Sequence, residues 1–543
     1  MPEAKMIMPP RNYENKSFVK VFDLSDKKNP KLVRDLQFDG NYFNSRLIGD
    51  YVYLVLNNYS FGVDSPLPKV LDGGQELPAT CASGVTKCFN PSIYYFDIPY
   101  DSYQLTTVAS INIKDDATPV NGDLYLLNSA QNFYVAPENL YITYTRYLNE
   151  YDIQMELARE IIFPRLTDSD KDKIRKIDAA DDFILSKTEK RYKAQQIIDR
   201  YINSLSANDQ AAYQTELQNN LKQKYSELKR EIEKTVVYKI NAKNGQLNYQ
   251  SKGEVPGSVL NQFSMDESDG YFRLATTFNQ YWSVSQESNP QSDNNVYVLN
   301  SSLQIVGKVE SIAMGERIYS ARFMGNRLYL VTYQQVDPLF VVDLTDPKSP
   351  QVVGELKMPG FSTYLHPYDQ NTIIGFGKDT VAEGEVVKTK GLKLALFDVS
   401  DIKNPKVLDT YVMGDMGSDS VALYDHKAFL FSKDKNLLVL PVTLRQSKKD
   451  GSWGEVYFSG ALVFQIQDNK FILAGKIDHS DNGQSAGADY NGYYDNNVLR
   501  SLYIKDQLYT LSNWYLKANH LPDLKEIKKV ELDKSNSGFT IIN

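Results

Sequence analysis

The sequence predicts an all-β fold, a β-propeller of seven or eight four-stranded blades with one inserted helical segment, and three observations carry that expectation. A ten-residue phrase recurs as VFDLSDKKNP at 21–30, VVDLTDPKSP at 341–350 and LFDVSDIKNP at 396–405. A second phrase recurs as SRLIGDYVYLVL at 45–56 and ARFMGNRLYLV at 321–331. The chain also carries 38 Tyr and 24 Phe, residues that pair well across strands.

In the first phrase a strand ends on Asp23, Asp343 or Asp398, and a Ser or Thr two places on begins a turn that satisfies its own backbone. Pro30, Pro350 or Pro405 then blocks continuation, and a new strand follows at Lys31, Gln351 or Lys406. The second phrase is a hairpin turning at Gly49-Asp50 or Gly325-Asn326, with an alternating strand after it. Variants stand at Asn139–Thr143, Gly270–Ala275, Leu423–Leu430 and Tyr503–Tyr509.

One hairpin plus one strand–turn–strand gives four short antiparallel strands per unit. Outer pairs are expected near 17–38, 93–114, 235–249, 295–310, 338–356, 393–410, 459–476 and 513–533. Inner hairpins are expected near 44–57, 126–146, 262–279, 317–333, 364–376, 420–431 and 497–512, so the first outer pair lacks one. Either the two chain ends share strands or the natural chain begins earlier; the poor strand content of residues 1–16 favours the second. The organisation is an irregular segment (1–16), a first propeller segment (17–146), a helical insertion between blades (147–234) and the rest of the propeller (235–543).

Three helical patterns fill the insertion. Ile153, Leu157, Ile161 and Ile162 form the first, which stops at Phe163-Pro164, and Tyr192, Ile197, Ile198, Tyr201 and Ile202 the second. Ser206 and Asp209 open the third in capping-box spacing, and Tyr213, Leu217, Leu221, Tyr225, Leu228 and Ile232 follow at three- or four-residue intervals. One apolar stripe per helix calls for a mutual core or a seat on the ring.

A net charge of -8 argues against non-specific nucleic-acid binding, and no apolar run is long enough to cross a bilayer. Cys81 and Cys88 sit in a loop. A disulfide between them places the chain in an oxidising compartment, and two free thiols are the alternative.

The sequence resembles archaeal and bacterial secreted or surface proteins with a C-terminal β-propeller domain distantly related to WD-type repeats. The resemblance covers nearly the whole chain and is most specific at 260–267, 315–324, 337–369, 417–429 and the insertion before Glu233-Lys234-Thr235-Val236. It implies an extracytoplasmic propeller, extracellular or on the cell surface, whose biochemical role is uncharacterised. Members of that family carry an export signal and further propeller sequence upstream, neither of which stands in this sequence. The resemblance brings no catalytic residues.

Arg46 and Arg322 align at the start of inner hairpins, where they would line the central channel and receive an anionic ligand or pair with a neighbouring carboxylate; local pairing with Glu316 is the default for Arg322. His366 with Asp369, and Asp425 with His426, are close in sequence and are binding candidates, with Ser362 or Ser420 as nucleophiles were a hydrolase present. A structural role for each histidine across a blade boundary is the plainer reading, and a shared metal at the two histidines the sharper one. Asp266 and Asp269 before Gly270, and Asp478 and Asp481 before Gly483, are candidate calcium ligands. Tyr- and Asn-rich loops at 57–74 and 490–496 suit recognition of proteins or glycans, whereas Trp282, Trp453 and Trp514 are too few for a sugar platform.

The leading expectation is a non-catalytic secreted or cell-surface propeller that binds or scaffolds a protein, envelope component or polysaccharide. The alternative is a propeller hydrolase or lyase acting on glycans or peptides.

Overall fold

Eight small sheets follow one another along the chain and form an eight-bladed β-propeller. The computed structural model describes residues 15–59, 67–81, 87–96, 104–127, 130–181, 184–228, 230–279, 292–333, 337–383, 386–448, 454–480 and 497–532. Blade 2 is built from Asn41–Ile48, Tyr51–Tyr59, Gln104–Asn112 and Asn121–Leu127. Blades 3 to 8 span 132–256, 265–312, 317–358, 361–413, 430–478 and 498–531. In each of these six the four strands pair in chain order, inner to outer.

Each turn read from the first phrase is present. The Asp23, Asp343 and Asp398 carboxylates accept the N–H two residues on, at 2.8, 2.9 and 2.9 Å, and each Asp pairs with the residue that opens the next strand. A bulge breaks the register just before it in all three blades.

The position four residues past the proline couples one blade to the next. Gly354 of blade 5 lies under the Ile402 carbonyl in the turn of blade 6, and a Cβ there would stand 2.1 Å from that oxygen. Asp409, its equivalent in blade 6, accepts the Phe471 N–H of blade 7 at 2.8 Å. Arg34, its equivalent in blade 1, donates to the Asn112 and Thr118 carbonyls of blade 2. The same site is thus a glycine where a turn must approach closely and a hydrogen-bonding side chain where it stands off.

Between blades the faces are apolar. Tyr329, Val331, Leu339 and Val341 of blade 5 pack on Leu365, Ile373, Ala395 and Phe397 of blade 6. Two second-strand tyrosines add polar ties between blades. The Tyr53 hydroxyl of blade 2 accepts the Gly245 N–H of blade 3 at 3.1 Å, and the Tyr141 hydroxyl of blade 3 donates to Glu267 of blade 4 at 2.8 Å.

Blade 1 departs from the pattern. Its strands Lys16–Asp23 and Lys31–Asp39 match an outer pair, and Val70–Asp72 and Gln75–Glu76 add to the far side of Lys31–Asp39. No inner hairpin joins it among the described residues, as expected, and the two chain ends form separate sheets rather than sharing one. The outer pair expected at 93–114 is displaced: Gln104–Asn112 pairs with Asn121–Leu127, and Ser92–Tyr94 becomes a fifth strand parallel to 123–125. Pairing of Cys81 with Cys88 closes the loop that seats Phe89 in the core between blades 1 and 2.

The helical segment leaves and re-enters a single sheet, so it extends the connection between the second and third strands of blade 3. It holds four helices, Glu150–Ile162, Asp168–Asp178, Lys187–Ser204 and Ala207–Leu228. The second was not legible as a helix because Ile174 is its only fully buried residue. Ser206 caps the last by accepting the Asp209 N–H at 3.2 Å. The helices share a core of Ala158, Ile161, Ile162, Ile174, Ile197, Ile198 and Tyr213, and Arg230 ties the segment's end to Asp293 of blade 4 at 3.1 Å.

Candidate functional site

The inner edges of the blades line a cavity of about 350 Å³. Its wall takes Phe43, Asn44 and Arg46 from blade 2, Gln131–Phe133 from blade 3, Thr363 and Tyr364 from blade 6, and two stretches that are not strands. A second cavity of about 240 Å³ adjoins it, lined in part by Arg46, Gln262, Phe263, Asp266 and Arg322. Arg46, Gln262 and Phe263 face both.

The two non-strand stretches break the repeat. In blade 4 residues Gln262–Ser264 form a single 3-10 turn, capped by the Asn261 carboxamide oxygen accepting the Phe263 N–H at 2.9 Å. In blade 7 the hairpin expected at 420–431 is replaced by turns at Val421–Leu423 and His426–Ala428, leaving the inner strand only Leu430–Ser432. Ser420 and Asp425 cause this: their side chains accept the N–H groups of Ala422 and Lys427, a local alternative to the sheet ladder. The turns carry Gln262, Phe263 and His426 to the cavity wall.

Four of the expected binding residues, Arg46, Arg322, Asp425 and His426, line these two cavities. Arg46 donates to Gln262 Oε1 at 2.9 Å, which fixes the amide so that its NH₂ donates to His426 Nε2 at 3.1 Å. Phe263 stands edge-on to the His426 ring at 4.8 Å. The Arg322 guanidinium lies over Phe263 at 4.5 Å and over Tyr364 at 5.8 Å from the ring centres. Its Nε is buried without a hydrogen-bond partner, and no carboxylate within ion-pair distance holds either Arg322 or Arg46 among the described residues. The default pairing of Arg322 with Glu316 is therefore corrected: Glu316 instead takes the Thr332 hydroxyl.

Burial first, then the charges of Lys427, Arg46 and Arg322, hold His426 down at about 4 against the opposing pull of Asp425. Burial, with Arg322 adding to it, also holds His366 at about 4. His366 stands behind Tyr364, whose hydroxyl is 3.0 Å from its Nδ1, and it stacks on Phe429 of blade 7 at 5.0 Å. It thus lies at the boundary between blades 6 and 7 and does not line either cavity.

Asp425 and the remaining candidates are spent on structure. Asp369 ends its strand at the hairpin turn and binds Lys433 of blade 7 at 3.0 Å. Asp425 caps its turn and pairs with Arg500 of blade 8. Ser420 donates to the Pro441 carbonyl, and neither Ser362 nor Ser420 bonds a histidine. Asp266 pairs with Arg273 across its hairpin, Asp269 holds the turn residue with φ of 52°, and Asp478 caps Ser480. Asp481, Trp282, Trp453 and the loop at 490–496 lie outside the described residues. Among the described residues no three His, Cys, Asp or Glu side chains gather as metal ligands do. Gln262 and Phe263 were not singled out in the sequence; the signal was the loss of alternation at Asn261-Gln262-Phe263-Ser264.

Residues 2–524 match the family model described as a beta propeller domain. An uncharacterized protein of Methanocaldococcus jannaschii is 31% identical over 527 residues, covering 94% of this chain and 72% of its own length. An uncharacterized protein of Archaeoglobus fulgidus is 32% identical over 484 residues, covering 89% of this chain and 66% of its own.

Proposed function

Because the chain belongs to the beta propeller domain family, we propose that it is a non-catalytic binding module that takes a ligand at the cavity on its inner edges. The observation that carries this reading is the convergence of Arg46, Gln262, Phe263, Arg322, Tyr364 and His426 from five blades around that space. Convergent polar groups on a partly aromatic wall are what a ligand site needs. The bond between Cys81 and Cys88 supports a location in an oxidising compartment, secreted or on the cell surface. The partner in this reading is a protein, envelope component or polysaccharide of the exterior.

A hydrolase or lyase would need a nucleophile or carboxylate pair aimed at that same space. The histidine at the wall is bonded to Gln262, and Asp425 faces Arg500, so the groups in place suit holding a ligand. The test is retention of envelope polysaccharide and protein fractions by the immobilised chain, run beside a hydrolysis screen on the same fractions. Retention without turnover, reduced by Phe263→Ala, is expected; turnover of any fraction that Phe263→Ala abolishes would overturn the reading.

A further inference from the structure

The wiring of the cavity wall selects a chemical class of ligand. The side-chain oxygens of Asn44, Gln131 and Asn261 each accept a backbone N–H, of Ser45, Thr145 and Phe263, at 2.9, 3.0 and 2.9 Å. A backbone N–H only donates, so these bonds fix the orientation of each amide and leave its NH₂ to the lining. Gln262 Oε1 is taken by Arg46, and Asp425 is taken by Arg500. Asp266, in the adjoining cavity, is taken by Arg273. Asn132 is the exception, spending its NH₂ on the Val259 carbonyl at 3.2 Å and keeping its oxygen, so the wall presents more donors than acceptors.

Arg46, shared by both cavities, and Arg322, in the adjoining one, add two guanidinium groups with no carboxylate partner among the described residues, and Lys427 lines the larger cavity. A cation packed on two aromatic faces keeps the edge of its planar fork for a ligand, and that fork matches a planar carboxylate. A peptide's carbonyls can accept from this wall, but the N–H that each residue also brings meets few side-chain acceptors there. Sugar hydroxyls accept as readily as they donate, and sugar faces pack on partly exposed rings such as Phe43 and Phe263.

Resting on the binding reading above, we propose that the two adjoining cavities, joined at Arg46, Gln262 and Phe263, together take a carboxylate-bearing saccharide. Arg322 and Arg46 hold the carboxylate, and the amide NH₂ groups of Asn44, Gln131 and Asn261 bond the hydroxyls.

The experiment titrates digalacturonate, cellobiose, triglutamate and sulfate into the full chain by calorimetry. Digalacturonate should bind and cellobiose should not. Arg322→Gln and Arg46→Gln should each weaken digalacturonate by about ten- to a hundredfold, the loss of one charge-assisted bond. Arg322→Lys, which keeps the charge without the fork, should fall between. Arg322→Gln gives up its packing on Phe263 and Tyr364 and should lower the melting temperature modestly; if the variant fails to fold, Arg46→Gln alone decides. Triglutamate or sulfate binding as tightly as digalacturonate, or arginine variants of unchanged affinity, would overturn the proposal. Cellobiose binding in place of digalacturonate would overturn it while leaving the binding reading intact. Failure of all four ligands together with failure to retain any envelope fraction would sink both.

Discussion

Blades 5 and 7 flank blade 6, and their inner edges are made in different ways. Blade 5 presents an eight-residue strand, Arg317–Met324, laddered to Arg327–Tyr333, and Arg322 reaches the cavity because strand register puts it there. Blade 7 gives up most of its inner strand for two turns held by Ser420 and Asp425, and His426 reaches the cavity because Asp425 caps the second turn. A repeat can place a side chain by pattern alone, whereas a break in the repeat needs its own polar supports. Those supports are then the points where the site is easiest to disturb.

The sharpest test of that contrast is Asp425→Ala. It removes the cap of the 426 turn and the carboxylate that faces Arg500 at a blade boundary, so the fold should lose about 2–4 kcal/mol, read from the urea midpoint. A cost below about 1 kcal/mol would mean that blade 7 is held by its apolar core instead.

The histidines extend the comparison to pH. His479 is fully buried at the boundary of blades 7 and 8, with Nε2 2.7 Å from the Thr510 hydroxyl and Nδ1 3.0 Å from that of Ser512. Burial, before any nearby charge, lowers it to about 4, whereas an unfolded histidine titrates near 6.5. As pH falls, the unfolded chain gains the proton first. The stability present above about 6.5 is therefore lost on acidification towards 4, by about 3 kcal/mol for this residue. His366 and His426 act in the same direction. Unfolding free energy measured from pH 7 to 4 should fall accordingly, and His479→Gln should flatten part of the curve; an unchanged curve would contradict the burial assignment.

A smaller effect separates two equivalent glycines. In Gly354→Ala the new methyl meets the Ile402 carbonyl of the next blade's backbone, costing about 1–3 kcal/mol. In Gly475→Ala it meets the end of the Leu524 side chain, which can turn away, so the cost should stay under about 1 kcal/mol. Equal melting temperatures for the two variants would break the idea that blade coupling runs through this position. Asp398→Ala, which removes one exposed turn bond, should cost about 0.5 kcal/mol, without altering ligand affinity.

Much of the ring was legible before any coordinates. The phrase at 21–30, 341–350 and 396–405 gave its turns and following strands, and the alignment of Arg46 with Arg322 pointed to the channel. The bulges and the position four residues past each proline were not read, because the use of Gly354 depends on a neighbour some fifty residues away in the chain. The turns of blade 7 were hidden because Leu423–Leu430 carries apolar residues at strand-like places, while its cap residues read as ordinary polar positions.

What the amino-acid sequence determined by itself is the local grammar: hydrophobic alternation, Asx turns and prolines fix where each strand starts and stops, since these act over a few residues. Which charges remain without partners was decided only by the tertiary structure. Arg322 and Arg500 are both arginines on inner strands, yet one faces Asp425 and the other two aromatic rings. That difference comes from which blade closes against which, because Coulomb and packing terms depend on distance in space and not along the chain.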